Sequence, residues 1–221
     1  MGSEIKKIEL KDIHMSYRTR NSVHRVLKGI TFDIPHNKSL GILGRNGAGK
    51  STLIKILSGV IKPQQGSVIY NGLDVSWPLG KPALQGSLTG ANNIKFFCRL
   101  LGKPFRETLD FCEDFAELGK YMNMPVRTYS SGMKTRLGFA ISMAADYDTL
   151  LVDEGFNAGD ARFTEKMKIL FEEKREKTNM ICVSHNGKII KKFCDYAAIL
   201  RDGQLEFYDD IKEALKIYRT L

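Results

Sequence analysis

The stretch Gly44-Arg45-Asn46-Gly47-Ala48-Gly49-Lys50-Ser51-Thr52 decides the fold of this 221-residue chain. It follows an apolar run, Leu40–Leu43, that fits a buried strand, and it leads into Leu53–Leu57, which fits one apolar face of a helix. The motif Gly-x-x-x-x-Gly-Lys-Ser/Thr requires this strand–turn–helix context. Such a turn brings backbone N–H groups and a helix N-terminus to a polyphosphate, while Lys50 adds charge and Ser51 a hydroxyl ligand for Mg²⁺. The sequence therefore predicts a nucleoside triphosphate site.

The length of 221 residues fits one ordinary domain or one domain with a small lobe, and a hydrophobic share of 43% is enough for a core. We find no run of about 18 apolar residues and no signal peptide, and so expect a protein made and retained in the cytoplasm unless a partner holds it elsewhere. The net charge of +9 is concentrated at the start, where residues 1–60 hold 11 Lys/Arg against 4 Asp/Glu. A polyanionic ligand explains this excess. The sequence has no stretch in which basic and aromatic residues alternate, as is typical of nucleic-acid-binding surfaces, so we expect no nucleic-acid partner.

The four cysteines are spaced too widely for a metal site. The spacing and the hydrophobic surroundings of three of them indicate reduced, structural thiols in a reducing compartment. These residues are Cys98, Cys112, Cys182 and Cys194.

The order of predicted elements indicates an α/β protein in which helices cross over between parallel strands. An antiparallel β layer comes first, a mostly helical insert follows the phosphate loop, and strands and helices then alternate. Strands are predicted at 5–13, 26–34, 66–70, 149–152, 179–183, 196–200 and 204–208, and helices at 92–101, 108–118, 133–145, 163–177, 187–193 and 211–218.

Two further motifs carry chemistry. The apolar strand 149–152 ends in Asp153-Glu154, where Asp153 is suited to hold Mg²⁺ and Glu154 to activate or orient the attacking water. Before it, Tyr129-Ser130-Ser131-Gly132-Met133 opens a helix and offers N–H groups, hydroxyls and a helix dipole to a second anion.

Together these motifs resemble ATP-binding-cassette (ABC) ATPases over essentially the whole chain. The usual family signature is Leu-Ser-Gly-Gly-Gln, with which Ser130 and Gly132 agree while Tyr129, Ser131 and Met133 depart. The resemblance implies an ABC nucleotide-binding domain. Its RecA-like core with the antiparallel β layer would span 1–86 and 138–221, and its helical subdomain 87–137.

The resemblance also assigns roles to single residues. Tyr17 matches the aromatic residue that stacks on adenine, and Gln85 the Q-loop residue that senses Mg²⁺ and the γ-phosphate. His185 matches the switch histidine that contacts the γ-phosphate, and Asp160 the D-loop aspartate. A partly buried strand tyrosine and a structural histidine are the plainer alternatives for Tyr17 and His185.

In this family the signature acts on the ATP of a facing protomer. The resemblance therefore implies a head-to-tail homodimer in which Ser130, Ser131 and Gly132 complete the partner's site. Gly155 replaces the usual proline after the glutamate, and Asn157-Ala158-Gly159-Asp160 departs from Ser-Ala-Leu-Asp. These departures concern coupling across the dimer rather than phosphate chemistry.

Several stretches are similar to ABC-2 type polysaccharide exporters, above all to the ATPases that export capsular polysaccharide. They include 76–79, 85–90, 115–119 and the Gly-Asp-x-Arg-Phe of 159–163. The resemblance implies an integral-membrane ABC-2 permease, a place on the cytoplasmic face of the bacterial inner membrane, and contact through the permease with periplasmic and outer-membrane capsule components. Trp77 is either an anchor for the permease or a core residue. The end at Leu221 favours the capsule branch, since O-antigen and teichoic-acid ATPases often carry extensions.

Four alternatives stay open from the sequence. They are export of O-antigen or teichoic acid, a non-transport ABC ATPase, a phosphate-loop kinase, and a cassette that binds ATP as a switch with little hydrolysis. The kinase would not explain the signature or His185, and Glu154 argues against the switch.

Overall fold

The computed structural model describes residues 6–19, 22–79, 83–153, 161–174 and 177–221. The chain divides into two compact units. The first comprises Met1–Trp77, Tyr147–Glu154 and Arg175–Leu221, and the second comprises Pro78–Asp146 and Gly155–Lys174.

The first unit contains two sheets. An antiparallel sheet has the order β2-β1-β4, formed by β1 (Lys7–Arg18), β2 (Val23–Pro35) and β4 (Gln65–Ile69). A six-stranded sheet has the order β5-β6-β7-β3-β8-β9, formed by β3 (Leu40–Leu43), β5 (Val75–Pro78), β6 (Thr149–Asp153), β7 (Asn179–Val183), β8 (Tyr196–Arg201) and β9 (Gln204–Tyr208).

The centre of the second sheet is parallel, as predicted. Strand β3 pairs in parallel with β7 on one side and β8 on the other, and β6 pairs in parallel with β7. Among the pairings described for this second sheet, only that of β9 with β8 is antiparallel, and these two strands form the predicted hairpin. Helices α1 (Lys50–Leu57), α6 (Gly187–Phe193) and α7 (Ile211–Tyr218) belong to the same unit.

The core of the first unit joins both sheets and α1. Leu10 of β1, Ile42 of β3, Leu53 of α1 and Ile181 of β7 belong to one buried cluster. Phe32 of β2 stacks on Phe207 of β9, with their ring centroids 3.2 Å apart. The antiparallel layer therefore packs through apolar side chains against the parallel sheet that holds the phosphate loop.

The edge strand β5 was not predicted. It is short and ends at Pro78, and its alternation is inverted, because the polar Ser76 is buried while Val75 and Trp77 are only partly buried. Its Ser76 side chain is fully buried, and the Ser76 hydroxyl accepts a hydrogen bond of 2.9 Å from the Leu151 N–H of β6. Trp77 is half-buried and meets Tyr147 edge-on, 6.1 Å between ring centroids.

The second unit is helical. It contains α2 (Gly90–Leu101), α3 (Phe105–Ala116), α4 (Ser131–Ala144) and α5 (Ala161–Lys174), with 3₁₀ turns at Gly119–Asn123 and Val126–Thr128. This unit begins before and ends after the segment 87–137, so the boundaries at 87 and 137 stay predictions.

The end of α4 is capped by a lysine from α5. The Lys174 ammonium donates to the Met143 carbonyl at 2.8 Å and the Ala145 carbonyl at 3.4 Å. Burial lowers the pKa of Lys174, although Asp146 nearby acts in the opposite direction. Lys174 thus satisfies the Met143 carbonyl, one of the last carbonyls of α4, which have no partner within the helix.

All four cysteines are buried thiols. Burial raises the pKa of the Cys112 thiol well above its ordinary value, which keeps it protonated and unreactive. Among the described residues, no helix is long and apolar enough to cross a membrane.

Replacing Leu53 with alanine tests the packing under the phosphate loop. Leu53 is completely buried, so Leu53→Ala should lower the free energy of unfolding by about 2–5 kcal/mol in urea titrations followed by circular dichroism. The matched control is Lys55→Ala in the same helix, because Lys55 is exposed and its loss should change stability by less than about 0.5 kcal/mol. Equal effects of the two changes would contradict the described packing.

Candidate nucleotide-binding site

The predicted phosphate loop joins the end of β3 to the start of α1. Gly47 and Gly49 adopt positive φ angles of 83° and 106°, which side-chain-bearing residues rarely adopt. A Cβ on Gly49 would lie 2.6 Å from Cγ1 of Val26 in β2. Glycine is therefore required at Gly49 both by the backbone angle and by the packing of β2 against the loop.

Lys50 lies folded over the loop. Its ammonium donates to the Gly44 carbonyl at 2.8 Å and to the Arg45 carbonyl at 3.1 Å, and only 6% of the residue is exposed. The charge is thus held against the loop backbone, where a phosphate cradled by the loop would lie.

Tyr17 of β1 lies beside the first turn of α1, close to the phosphate loop. The Tyr17 hydroxyl lies 3.4 Å from the Thr52 hydroxyl, and 43% of Tyr17 is exposed. An exposed ring beside the phosphate loop is available for stacking, and the role of Tyr17 at adenine stays a prediction. Ser51 is exposed in the same turn.

Asp153 and His185 lie at the ends of strands close to β3. Asp153 ends β6, is 7% exposed, and is paired in register with Val183 at the end of β7. His185 follows β7 and is exposed. Because the carboxyl ends of parallel strands share one edge of a sheet, the phosphate loop, Asp153 and His185 lie along the same edge.

Ser184 ties the histidine segment to the strand before the phosphate loop. Its N–H donates to the Ile42 carbonyl at 3.2 Å, and its hydroxyl accepts from the Asn186 N–H at 2.9 Å. Ser184 is almost fully buried. His185 lines a shallow cavity of about 380 Å³ together with Arg45 and Asn46 of the phosphate loop and Tyr218 of α7.

A larger cavity of about 530 Å³ adjoins the other side of the loop. It is lined by residues of the loop, of β2 and of the β8–β9 turn, and its lining has four basic side chains and one acidic one: Arg25, Lys28, Arg45 and Arg201 against Asp202. This lining accounts for part of the positive charge in the first quarter of the chain and favours an anionic ligand.

The donor set suits Mg²⁺. The Ser51 hydroxyl and the Asp153 carboxylate are oxygen donors of the kind that this ion prefers. Ser51 and Asp153 belong to the first unit, Gln85 to the second. Glu154 and Asp160 lie outside the described residues.

Gln85 is held by a buried asparagine. Asn93 is completely buried in α2, and its side-chain oxygen accepts from the Gln85 N–H at 2.8 Å. The Asn93 amide nitrogen donates to the carbonyls of Gln85 at 3.1 Å and Thr89 at 3.0 Å. The backbone of Gln85 is thus clamped from both sides, while the residue itself is exposed.

The predicted signature caps a helix as expected. Ser130 is the N-cap of α4, and its hydroxyl accepts from the Met133 N–H at 3.2 Å. Ser130 and Ser131 are exposed and Gly132 is partly exposed, so the helix N-terminus is accessible.

The tyrosine that departs from the usual signature has a structural role. Tyr129 is 5% exposed, and its hydroxyl donates to the Tyr121 carbonyl at 2.5 Å. Burial raises the pKa of Tyr129, so the hydroxyl stays protonated and able to donate. Tyr129 therefore anchors the loop before α4 where the family has leucine.

Residues 27–157 match the ABC transporter family. The chain belongs to this family. The cassette is 43% identical over 216 residues to the polysialic acid transport ATP-binding protein KpsT of Escherichia coli, with 96% of each chain covered. It is 42% identical to the capsule polysaccharide export ATP-binding protein CtrD of Neisseria meningitidis serogroup B, covering 97% of this chain and 99% of that one. It is also 42% identical to the ATP-binding protein BexA of Haemophilus influenzae, covering 96% and 97%.

Solved ABC structures share the fold of the cassette. One is an ATP-binding subunit of an ABC transporter, with a TM-score of 0.80 over 96% of this chain and 94% of that one at 21% identity. Another is a dimeric ATP-binding cassette in a post-hydrolysis state bound to ADP and Pi, with a TM-score of 0.74 over 90% and 96% at 23% identity. The predicted ABC fold, the resemblance to capsule export ATPases and the assignment as an ATPase are confirmed.

The roles of three residues of this cassette were not predicted from sequence. Asn93 clamps Gln85, Ser184 ties the His185 segment to β3, and the Tyr218 hydroxyl donates to the Gly44 carbonyl at 3.2 Å. An asparagine among the apolar residues of α2 is a signal that could have identified the first. Ser184 and Tyr218 act through contacts distant in sequence and leave no such signal.

Removing the Asn93 clamp should affect both folding and turnover. Asn93→Leu keeps the size but removes the acceptor of the Gln85 N–H, while the Gln85 and Thr89 carbonyls keep their backbone donors. One buried donor without its partner should lower stability by about 1–3 kcal/mol. ATP turnover per folded molecule should fall by about tenfold, because Gln85 is no longer held in place. Both are measured on purified protein below the unfolding transition.

The matched control is Asn92→Leu, since Asn92 is the exposed neighbour in the same helix turn. It should leave stability and turnover near the wild-type values. A destabilised Asn93→Leu protein with normal turnover would limit Asn93 to a role in folding.

Proposed function

We propose that this cassette is the ATP-hydrolysing motor of an exporter that carries a lipid-linked capsular polysaccharide across the bacterial inner membrane. The observation that carries the proposal is the 42–43% identity, over nearly the full length of both chains, to relatives named for polysialic acid transport and capsule export. A teichoic acids export ATP-binding protein of Bacillus anthracis is less similar, at 38% identity, and the match covers 39% of its length.

The phosphate loop is the proposed ATP site. The backbone of residues 44–49 and the ammonium of Lys50 would bind the phosphates, with Arg45, Asn46, Ala48 and Thr52 in the surrounding loop and turn. Tyr17, which lies beside Thr52, would stack on adenine. Ser51, Asp153 and Gln85 would hold Mg²⁺, which when bound supplies positive charge to the β- and γ-phosphates.

For hydrolysis, we assign Glu154 to orient and deprotonate the attacking water. Lys50 and His185 would stabilise the charge that develops on the γ-phosphate, and Gln85 would link this chemistry to the helical unit. The position of His185 at the sheet edge that carries the phosphate loop supports its part in this set.

Two copies would form a head-to-tail dimer around two ATP molecules. The accessible N-terminus of α4, with Ser130, Ser131 and Gly132, would complete the site of the facing copy, together with Asp160. The dimeric cassette bound to ADP and Pi that shares this fold supports such an assembly.

An integral-membrane ABC-2 permease is the proposed partner at the cytoplasmic face of the inner membrane. ATP-driven closure of the dimer would move the permease, and hydrolysis would reset it. Half-buried Trp77 is a proposed anchor for this contact. Periplasmic and outer-membrane capsule components would connect through the permease.

Cells whose only copy of this protein carries Lys50→Ala test whether capsular polysaccharide is the exported cargo. Loss of the ammonium should weaken nucleotide binding, so surface capsule should fall by at least about tenfold while polymer accumulates inside. Surface and intracellular polysaccharide are quantified in parallel in the encapsulated host, with Lys55→Ala as the matched control. Normal surface capsule with Lys50→Ala would exclude capsule as the cargo and favour another lipid-linked glycan, such as O-antigen or teichoic acid.

Glu154→Gln tests the dimer. Without the proposed base, ATP should stay bound, so a dimer should accumulate in ATP and not in ADP. Light scattering after size exclusion gives the mass, with and without the permease, and the control is Glu165→Gln on the exposed face of α5. A Glu154→Gln protein that stays monomeric in ATP in both preparations would rule out the sandwich mechanism. Equally slow turnover of wild type and variant would argue for an ATP switch instead.

A further inference from the structure

Helix α7 reaches the phosphate loop at the carbonyl on which Lys50 rests. The Gly44 carbonyl accepts a hydrogen bond of 2.8 Å from the Lys50 ammonium and a second one of 3.2 Å from the Tyr218 hydroxyl. A carbonyl oxygen has two lone pairs, so both donors are accommodated. The second bond comes from a residue 174 positions away in the sequence.

Gly44 is confined on its remaining side by β8. A Cβ on Gly44 would lie 2.8 Å from the Leu200 carbonyl oxygen and 3.4 Å from the side chain of Lys50. The start of the loop is therefore enclosed by β8, by the lysine stem and by Tyr218. Among these three, the Tyr218 hydroxyl and the Lys50 ammonium donate hydrogen bonds to the Gly44 carbonyl and so fix its direction.

Helix α7 is a firm support for this contact. Its N-cap Asp210 accepts from the Lys212 N–H at 2.8 Å, and Ala214 is completely buried. Leu215 lies against Gly187, where a Cβ would clash with the leucine side chain. Arg45 of the loop also donates to the Leu221 carbonyl, just beyond the helix, at 3.2 Å.

We propose that Tyr218 is a positioning residue of the ATPase site, which acts through the Gly44 carbonyl on Lys50. By holding this carbonyl, the hydroxyl keeps the acceptor of the lysine ammonium in place and so keeps its charge aimed into the phosphate loop. A preorganised donor binds phosphate without the cost of ordering it. The inference rests on the ATPase activity of the family and not on the cargo.

The test is Tyr218→Phe, which removes one hydroxyl and keeps the ring. Since one neutral hydrogen bond is lost, the KM for ATP should rise by about threefold to tenfold. The kcat at saturating ATP should stay within about twofold, because bound phosphate itself then orients Lys50. Steady-state ATP hydrolysis by the full chain gives both constants.

The matched control is Tyr70→Phe in the same unit. The half-buried Tyr70 hydroxyl donates to the Leu57 carbonyl at 3.0 Å, at the opposite end of α1 from the loop. This variant loses the same kind of bond, so both variants should show similar small losses in melting temperature while only Tyr218→Phe raises the KM.

An equal KM for the two variants would overturn the proposal, as would a fall in kcat of Tyr218→Phe with an unchanged KM. A wild-type protein that binds no ATP would overturn the ATPase assignment as well, which separates that failure from a failure of the Tyr218 role alone.

Discussion

The position of strand β3 between β7 and β8 is the constraint on which the nucleotide site depends. All four residues of β3 are buried, and Gly41 lies so close to Ile190 of α6 that any Cβ would clash. Parallel pairing on both sides brings the ends of β3 and β7 to one edge, with Asp153 beside β7. The phosphate loop begins at that edge, so the buried strand determines where Lys50 and His185 lie.

Backbone carbonyls and N–H groups do much of the positioning in both units. In the first unit the Gly44 and Arg45 carbonyls hold Lys50, and the Ile42 carbonyl holds Ser184. In the second, Asn93 clamps the backbone of Gln85 with paired hydrogen bonds. Hydrogen bonds of this kind are costly to break when they are buried, so they hold the Lys50 ammonium against the loop and fix the backbone of Gln85.

The departures from the common ABC signature change packing more than chemistry in the described residues. Tyr129 replaces an apolar leucine but is buried and bonded to the Tyr121 carbonyl, so it fills the position and adds an anchor. Ser131 is exposed beside the N-cap Ser130 and leaves the helix N-terminus accessible. An anion site at the start of α4 is compatible with this sequence.

The sequence by itself determined the phosphate loop, the parallel sheet around it, the terminal hairpin and the capped signature helix. Each depends on local features: glycines that permit positive φ, apolar runs of strand length, and a serine at an N-cap. The tertiary structure alone decided that Ser76 and Trp77 lie in an edge strand, that Asn93 clamps Gln85, and that Tyr218 reaches Gly44. These features join residues far apart in the chain through single hydrogen bonds or a short strand pairing, and neither produces a periodic pattern in the sequence.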